Sequence, residues 1–183
     1  FQSSLKPRIS FNHKQKFGCD KIFKINRSHL SLFGLPSYGV HCNVWSKKKN
    51  SYLIHLAKRS KKLENFPGLF DNLVAGGQPE GISIERNLKK EAYEEAGLRA
   101  EFMNSAIKGS STHYTHNDKK KFNSAIIFNY HLEKTEQMNF VNQDGEVEEF
   151  ISIDLDDFYK ILEKKLLKPN CIIPIIDFLI LKK

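Results

Sequence analysis

Residues 90–98 read KEAYEEAGL, so that three glutamates, Glu91, Glu94 and Glu95, fall within one helical turn ahead of a glycine. Like charges three and four residues apart share a helix face and cost roughly 0.2–0.5 kcal/mol per pair. On a wheel of about 100° per residue, Glu91 and Glu95 border the apolar stripe of Ile84, Leu88, Ala92 and Ala96, while Glu94 stands further off. A carboxylate at such a border loses solvent and stays ionised only when paired or metal-bound. Lys90 precedes Glu94 by four, the less favourable order, and Arg99 lies beyond Gly97, so basic partners on this helix are expected to be poor. A divalent cation would cancel the repulsion and take the carboxylate oxygens as ligands. Mg2+ is the hard, oxygen-seeking choice and is commonly shared with substrate phosphates. The plainer reading is a solvated acidic face. Against it stands the upstream strand NLVAGG (72–77), whose closing glycines, Gly76 and Gly77, bring bare backbone carbonyls close to the acids.

The elements that must hold this turn follow from pattern and punctuation. The helix is expected over 83–96, with Ser83 as N-cap and Gly97 as left-handed C-cap. YGVHCNVW (38–45) and SYLIHLAKR (51–59) read as strands joined at the KKKN turn, and LENFPGLFD (63–71) reads as a loop. IFKI (22–25), a segment within 101–115, FNSAIIFNYHLE (122–133) and VEEFISI (147–153) are further strand candidates. DLDDFYKILEKKLL (154–167) is acidic first and basic last, as the helix dipole prefers, and Pro169 ends it ahead of a last, largely buried helix in CIIPIIDFLILKK. The order of elements fits an α/β (α+β) architecture, a mixed sheet sandwiched between helices.

Size, charge and cysteines narrow the class. At 183 residues the chain fits one domain, 35–183, behind an irregular basic N-terminal arm, 1–34. It begins at Phe1 instead of Met, and Phe1-Gln2-Ser3 reads as a tag scar ahead of the remnant of a longer N-terminal region, which leaves organelle targeting open. Cys19, Cys42 and Cys171 are odd in number and widely spaced, which supports neither a disulfide framework nor a thiolate zinc site. An intracellular, cytoplasmic setting is the natural expectation. The longest apolar run is broken by Pro174 and Asp177, so no membrane span is expected. The net charge of +8 comes from lysine-rich runs at 46–50, 57–62 and 117–122. Such a surface suits a polyphosphate or a nucleic acid, but solvated loops are the plainer account and nucleic acid is not favoured, since aromatic–basic interleaving is missing. Nothing in these patterns encodes an oligomeric state.

GGQPEGISIERNLKKEAYEEAGL (76–98) resembles the Nudix box, G-x5-E-x7-R-E-U-x-E-E-x-G-U, with Glu91, Ala92, Glu94, Glu95, Gly97 and Leu98 in register. The first half departs from that pattern: the loop is one residue shorter, and the family's bracing glutamate and arginine fall at Ile82 and Lys90. Their joint replacement implies a substituted brace. YGVHCNVW, AKRS, PGLFDNLVAGGQPEGIS, NQDGEVEEF (142–150) and KPNCIIPIIDFLI (168–180) are further similar to the thiamine-pyrophosphokinase-related Nudix branch of yeast and plants. The resemblance runs from residue 22 to the C-terminus. It implies a Nudix-type fold and a Mg2+-dependent diphosphatase, with Mn2+ a possible substitute, whose substrate is a small organic diphosphate. Thiamine diphosphate or its oxidised analogues lead; ADP-ribose, a nucleotide sugar or an RNA cap is the alternative. A catalytically silent Nudix-like binding module is a third reading, supported only by Ile82 and Lys90.

By the same resemblance Glu91, Glu95 and then Glu94 are the metal ligands, joined by the carbonyl of Gly76 or Gly77, and one of the glutamates is a general base. Glu146, with Asp144 behind it, is the candidate loop carboxylate; a hairpin-turn acid is the equal alternative, since Asp-Gly is a strong turn signal. Arg59 and Lys58 are candidate phosphate contacts or plain surface cations, and Phe66, Phe70 and Tyr114 are candidate stacking rings or plain core. His113 and His116 form an HxxH without the further ligands that a zinc site needs.

Overall fold

The structure is a computed structural model that describes residues 10–12, 21–118 and 121–183. Most of the expected irregular arm, and the side chain of His116, lie outside the described residues. Strands β1 (Ser10–Asn12) and β2 (Lys21–Lys24) pair antiparallel as a small separate sheet. The seven-stranded sheet comprises β3 (Pro36–Lys48), β4 (Ser51–Arg59), β5 (Phe70–Asn72), β6 (Val74–Gly77), β7 (Ile107–Asp118), β8 (Lys121–Glu133) and β9 (Val147–Ile153). It is mixed: β3 runs parallel to β8 and antiparallel to β4 and β6. Among the described residues no helix is long and apolar enough to cross a membrane.

Alternation along β3 decides which side chains meet which helix. Val40, Cys42 and Val44 join one core with Leu88, Ala92 and Ala96 of α1 (Ile84–Ala96). Trp45 joins a second core with Phe158 and Ile161 of α2 (Leu155–Glu163) and Ile175 and Phe178 of α3 (Ile172–Leu181). A period of two places successive side chains on opposite faces, so the polar His41 and Asn43 also turn away from α1. The mixed sheet with flanking helices is the fold that the pattern implied.

Several local expectations hold. Ser83 Oγ accepts from Arg86 N at 3.1 Å, and Gly97 closes α1 in the left-handed region at φ 65. The KKKN turn joins β3 to β4, and β9 matches VEEFISI.

Other expectations are corrected. NLVAGG is not one strand: the chain turns at the fully buried Leu73, so that β5 pairs with β4 and β6 pairs with β3. The loop expected over 63–71 therefore ends early, at Phe70. Helix α2 stops at Glu163 instead of running to 167, because Lys165 takes a left-handed turn (φ 53) that sends Leu167 into the second core. The freed segment hydrogen-bonds along β5, through Phe70 N to Leu166 O at 2.8 Å and Lys168 N to Phe70 O at 2.9 Å. The arm holds an unforeseen 3-10 segment, Arg27–Phe33, capped by Asn26.

The last helix was expected to be largely buried, yet only one face is. Phe178 is sealed (0%) among Trp45, Tyr52 and His131, whereas Ile180 is 69% exposed. Phe178→Ala should therefore cost about 3–5 kcal/mol, whereas Ile180→Ala should stay within about 0.5 kcal/mol. Urea unfolding of the two variants checks the contrast.

Candidate active site

The cleft opens where β6 brings Gly76 and Gly77 beneath α1. It has a volume of about 700 Å³ and is lined by groups of both charges. Glu91, Glu94, Glu95, Asp144 and Glu146 are its acids, and Arg27, Arg59, Lys90 and Lys168 its cations.

Among the acids, Glu95 is buried (8% exposed) and its Oε2 accepts from Ala75 N at 2.7 Å. Burial pushes its carboxyl well above the usual range, the Ala75 amide opposing. Glu91 lies against Gly76 so closely that any Cβ there would overlap its carboxylate. A Cβ at Gly77 would overlap the Arg27 guanidinium, so both glycines serve close approach. Lys90 corrects the expectation of poor partners, because its Nζ bonds Glu91 Oε1 at 3.2 Å and also reaches Glu94 Oε2. The shared ammonium relieves the i,i+3 repulsion between those two acids but leaves Glu95 without a cation at hydrogen-bond distance among the described residues.

The loop above β6 is braced by two amides. Gln78 Nε2 donates to Ile82 O at 2.8 Å, and Asn87 Nδ2 donates to Gly77 O at 3.1 Å. These amides hold the loop where Ile82 and Lys90 replace the charged brace of the Nudix pattern. Neither was singled out in the sequence, although a polar Asn87 beside Leu88 on the buried side of α1 was a usable signal.

Glu146 and Asp144 reach the cleft because their loop docks on the end of α1. Val141 N donates to Ala96 O, and Gln143 N donates to Glu94 O, both at 3.0 Å. The turn reading also holds: Asn142 Oδ1 accepts from Gly145 N at 3.1 Å, and Gly145 sits at φ 81. Turn and cleft acid are thus compatible roles.

Among the cations, Arg59 lines the cleft and donates to Asp71 Oδ2 at 3.0 Å and twice to Asn65 O. Tyr114 and Phe66 line the cleft, Phe66 at a left-handed φ of 52. The structure does not bring Lys58 or Phe70 there. Lys58 faces Glu149 across β9 at 3.4 Å, and Phe70 packs against the second core. His113 donates to or accepts from Ser124 Oγ at 2.9 Å.

Arg27, His41, Asp71 and Lys168 were missed in the sequence. Lys168 reaches the cleft only through the early end of α2, which no periodicity announces. Its Nζ lies 2.7 Å from Asp71 Oδ2, and Asp71 Oδ1 accepts from Asn72 N and from the Cys171 thiol at 2.9 and 2.6 Å. Burial alone would raise the Asp71 carboxyl, but Lys168, His41 and the thiol outweigh it and hold it at about 2. Burial likewise lowers Lys168, but Asp71 more than compensates and its pKa is raised. Burial and Lys168 lower His41 to about 4, so that it is neutral. The donor atoms of His41, Asp71 and Cys171 lie within 4.8 Å of one another. A cation among them would face Lys168 and Arg59, and Asp71 is already saturated, so this cluster is an ion-pair floor and not a metal site. The carboxylates of α1 fit a hard cation better, being oxygen donors around one buried acid that a positive charge would relieve.

These observations describe a cleft that gathers carboxylates and basic side chains at the α1–β6 junction of an α/β sandwich. Residues 37–171 match the NUDIX domain, and the chain belongs to the Nudix family. It is 38% identical over 167 residues to "Nudix hydrolase 20, chloroplastic" of Arabidopsis thaliana, covering 91% of this chain and 45% of that protein. The chain thus spans less than half the length of that relative. Among solved structures, DR0079 of Deinococcus radiodurans superposes with a TM-score of 0.65 at 13% identity, covering 87% of this chain and 93% of that one. The NUDIX domain of Shewanella oneidensis NrtR, complexed with ADP ribose, gives 0.53 at 15% identity over 68% of this chain and 77% of that one. Both likenesses bear on the fold alone.

Asp71 and the glycines yield two measurements. A depressed carboxyl stabilises the fold above its ordinary value of 3.8 and loses that stabilisation, on the order of 2 kcal/mol, as pH falls toward 2. Asp71→Asn should cost about 3–5 kcal/mol at pH 7, since Lys168 is left buried and unpaired, and should flatten the acid-side decline; urea unfolding at pH 7 and pH 3 reads both. Gly76→Ala should displace the Glu91 carboxylate and weaken Mg2+ binding by about tenfold or more, as read by calorimetric titration.

Proposed function

We propose that this chain hydrolyses an organic diphosphate to the monophosphate and phosphate with Mg2+, and that thiamine diphosphate or its oxidised analogues are the leading substrates. The observation that carries the reaction class is the mixed charge of one cleft: a carboxylate set on α1 around the buried Glu95, with Arg59 and Lys168 lining the same cavity. The thiamine reading rests on the separated sequence blocks named above, from YGVHCNVW to KPNCIIPIIDFLI.

Glu91 and Glu95, with Glu94 and the carbonyl of Gly76 or Gly77 beside them, are the groups that would hold Mg2+. The Gly76 carbonyl turns toward β3, where Gly76 pairs with Val40, while the Gly77 carbonyl accepts from Asn87 and keeps a second lone pair. When bound, the ion neutralises phosphoryl oxygens and sharpens water as a nucleophile. Arg59 and Lys168, which line the same cleft, bind the diphosphate, and their charge favours the departing phosphate. Arg59 is oriented before substrate arrives, because Asp71 and Asn65 O fix three of its N–H groups. Glu146 Oε at the cleft mouth, or a carboxylate of α1, takes the proton from water as the bridging P–O bond breaks. Tyr114 and Phe66 offer rings to the organic group.

Glu95→Gln should remain folded and lower Mg2+-dependent phosphate release by at least about a hundredfold; near-normal release would remove Glu95 from the metal set. A panel of thiamine diphosphates, ADP-ribose, nucleotide sugars and capped RNA, ranked by kcat/KM, tests the substrate. A nucleotide ahead of every thiamine derivative would replace the leading reading with the nucleoside diphosphate one. Binding without hydrolysis at millimolar Mg2+ would instead mark a silent module.

A further inference from the structure

Part of the cleft lining comes from ahead of the Nudix domain. The 3-10 segment Arg27–Phe33 precedes the matched residues 37–171, and its Arg27, Ser28, Leu30 and Ser31 all line the cavity. Short-range contacts hold this segment in place. Asn26 Oδ1 accepts from Ser28 N at 3.0 Å where it starts, and Gly34 closes it in the left-handed region at φ 62. Leu30 is buried against Ile25, Leu35 and Tyr38, and Leu35 N donates to Leu30 O at 3.0 Å.

Arg27 is the first residue of the segment, and its guanidinium lies against Gly77 so closely that only a residue without Cβ fits there. Successive residues of a strand point to opposite faces. Gly76 turns its bare side to Glu91 of α1, and Gly77 turns its own to Arg27. Two glycines in a row thus let an acid and a cation close on one strand from its two faces. On the neighbouring strand Gly39 pairs with Gly77 and His41 with Ala75, so Arg27 shares the face of His41, where its charge adds to burial and to Lys168 in lowering that imidazole.

This position is next to the diphosphate. The Gly77 carbonyl belongs to the set that would hold Mg2+, and such an ion shares its coordination with substrate phosphates. A guanidinium has five N–H donors in a planar fork, so it can keep a protein neighbour and still present a pair to a phosphoryl oxygen. We propose that Arg27 is a substrate-binding residue, which joins Arg59 and Lys168 by donating to the bound diphosphate from the face of β6 opposite Glu91, so that the arm completes the cleft. A bracing role alone would use the same contact with Gly77 and touch no ligand. The inference rests on the diphosphatase reading for the identity of the anion.

Methylenediphosphonate is the probe, because it carries the two linked phosphoryl groups common to every candidate substrate and its P–C–P bridge is not hydrolysed. Calorimetry of the full chain at millimolar Mg2+ gives its dissociation constant, and a titration with Mg2+ alone gives that of the ion. Arg27→Ala should weaken methylenediphosphonate by about tenfold or more, as the loss of a hydrogen bond to a charged group does. Binding of Mg2+ alone should weaken by no more than about twofold, because Arg27 is exposed and stands outside the carboxylate set. Arg27→Lys, which keeps the charge without the fork, should recover part of the loss. Gly77→Ala pushes the guanidinium aside, so its cost in probe affinity should be smaller in the Arg27→Ala background than in the unmodified protein.

Three results overturn the proposal: probe binding that is unmeasurable in the unmodified protein or unchanged in Arg27→Ala, a parallel loss of probe and Mg2+ binding, or an equal cost of Gly77→Ala in both backgrounds. If Arg27→Ala fails to fold, as a melting curve would show, Arg27→Gln is held to the same criteria. Failure of the diphosphatase reading is seen separately, as no phosphate release from thiamine diphosphate or ADP with Mg2+, and leaves the comparison of affinities intact.

Discussion

The cleft is governed by the cost of holding charge out of water. Glu95 lies inside the α1–β6 junction with a single backbone amide at its carboxylate and no cation at hydrogen-bond distance among the described residues. An ionised acid there requires compensation, and neighbouring features are arranged around that need. Gly76 lacks a side chain, so Glu91 can lie against the backbone. The loop from Val141 to Glu146 is tied to the end of α1, adding acids to the same cleft. A bound cation would relieve Glu95 and neutralise the oxygens of a diphosphate at once, so the strain of the site and its chemistry have one cause.

The buried cations of the cleft pose the reverse problem. Lys168 and Arg59 are both largely buried, and both rely on the single carboxylate of Asp71. One acid between two cations leaves a surplus positive charge facing the cleft, the complement that an anionic substrate supplies. The same charge depresses His41 and keeps it neutral.

Much of the frame was legible because it depends on local rules. The limits of α1 follow from Ser83 and Gly97, the β3–β4 hairpin from its lysine-asparagine turn, and β9 from a β-rich run. The glutamates were legible for the same reason, since a carboxylate beside an apolar stripe conflicts visibly with burial. The brace was not. Gln78 and Asn87 are uncharged amides whose role appears only when their partners, the carbonyls of Ile82 and Gly77, are brought near. Lys58 and Phe70 show the converse, because their types suited a phosphate or a ring while strand alternation and the sheet edge sent them elsewhere.

The sequence by itself determined the acidic turn on α1, the glycines beneath it and the alternation of a mixed α/β sheet, because capping, periodicity and charge spacing act over a few residues. Tertiary structure alone decided which buried cations and carboxylates meet in the cleft. Arg27, Arg59, Asp71 and Lys168 come from segments far apart in the chain, and Lys168 arrives only because α2 stops at Glu163 and its tail pairs with β5. Asn43 of β3 likewise finds its acceptor in a carbonyl of Pro174, more than a hundred residues away. Hydrogen-bond direction and buried charge balance are properties of assembled neighbours, and short-range pattern carries no record of them.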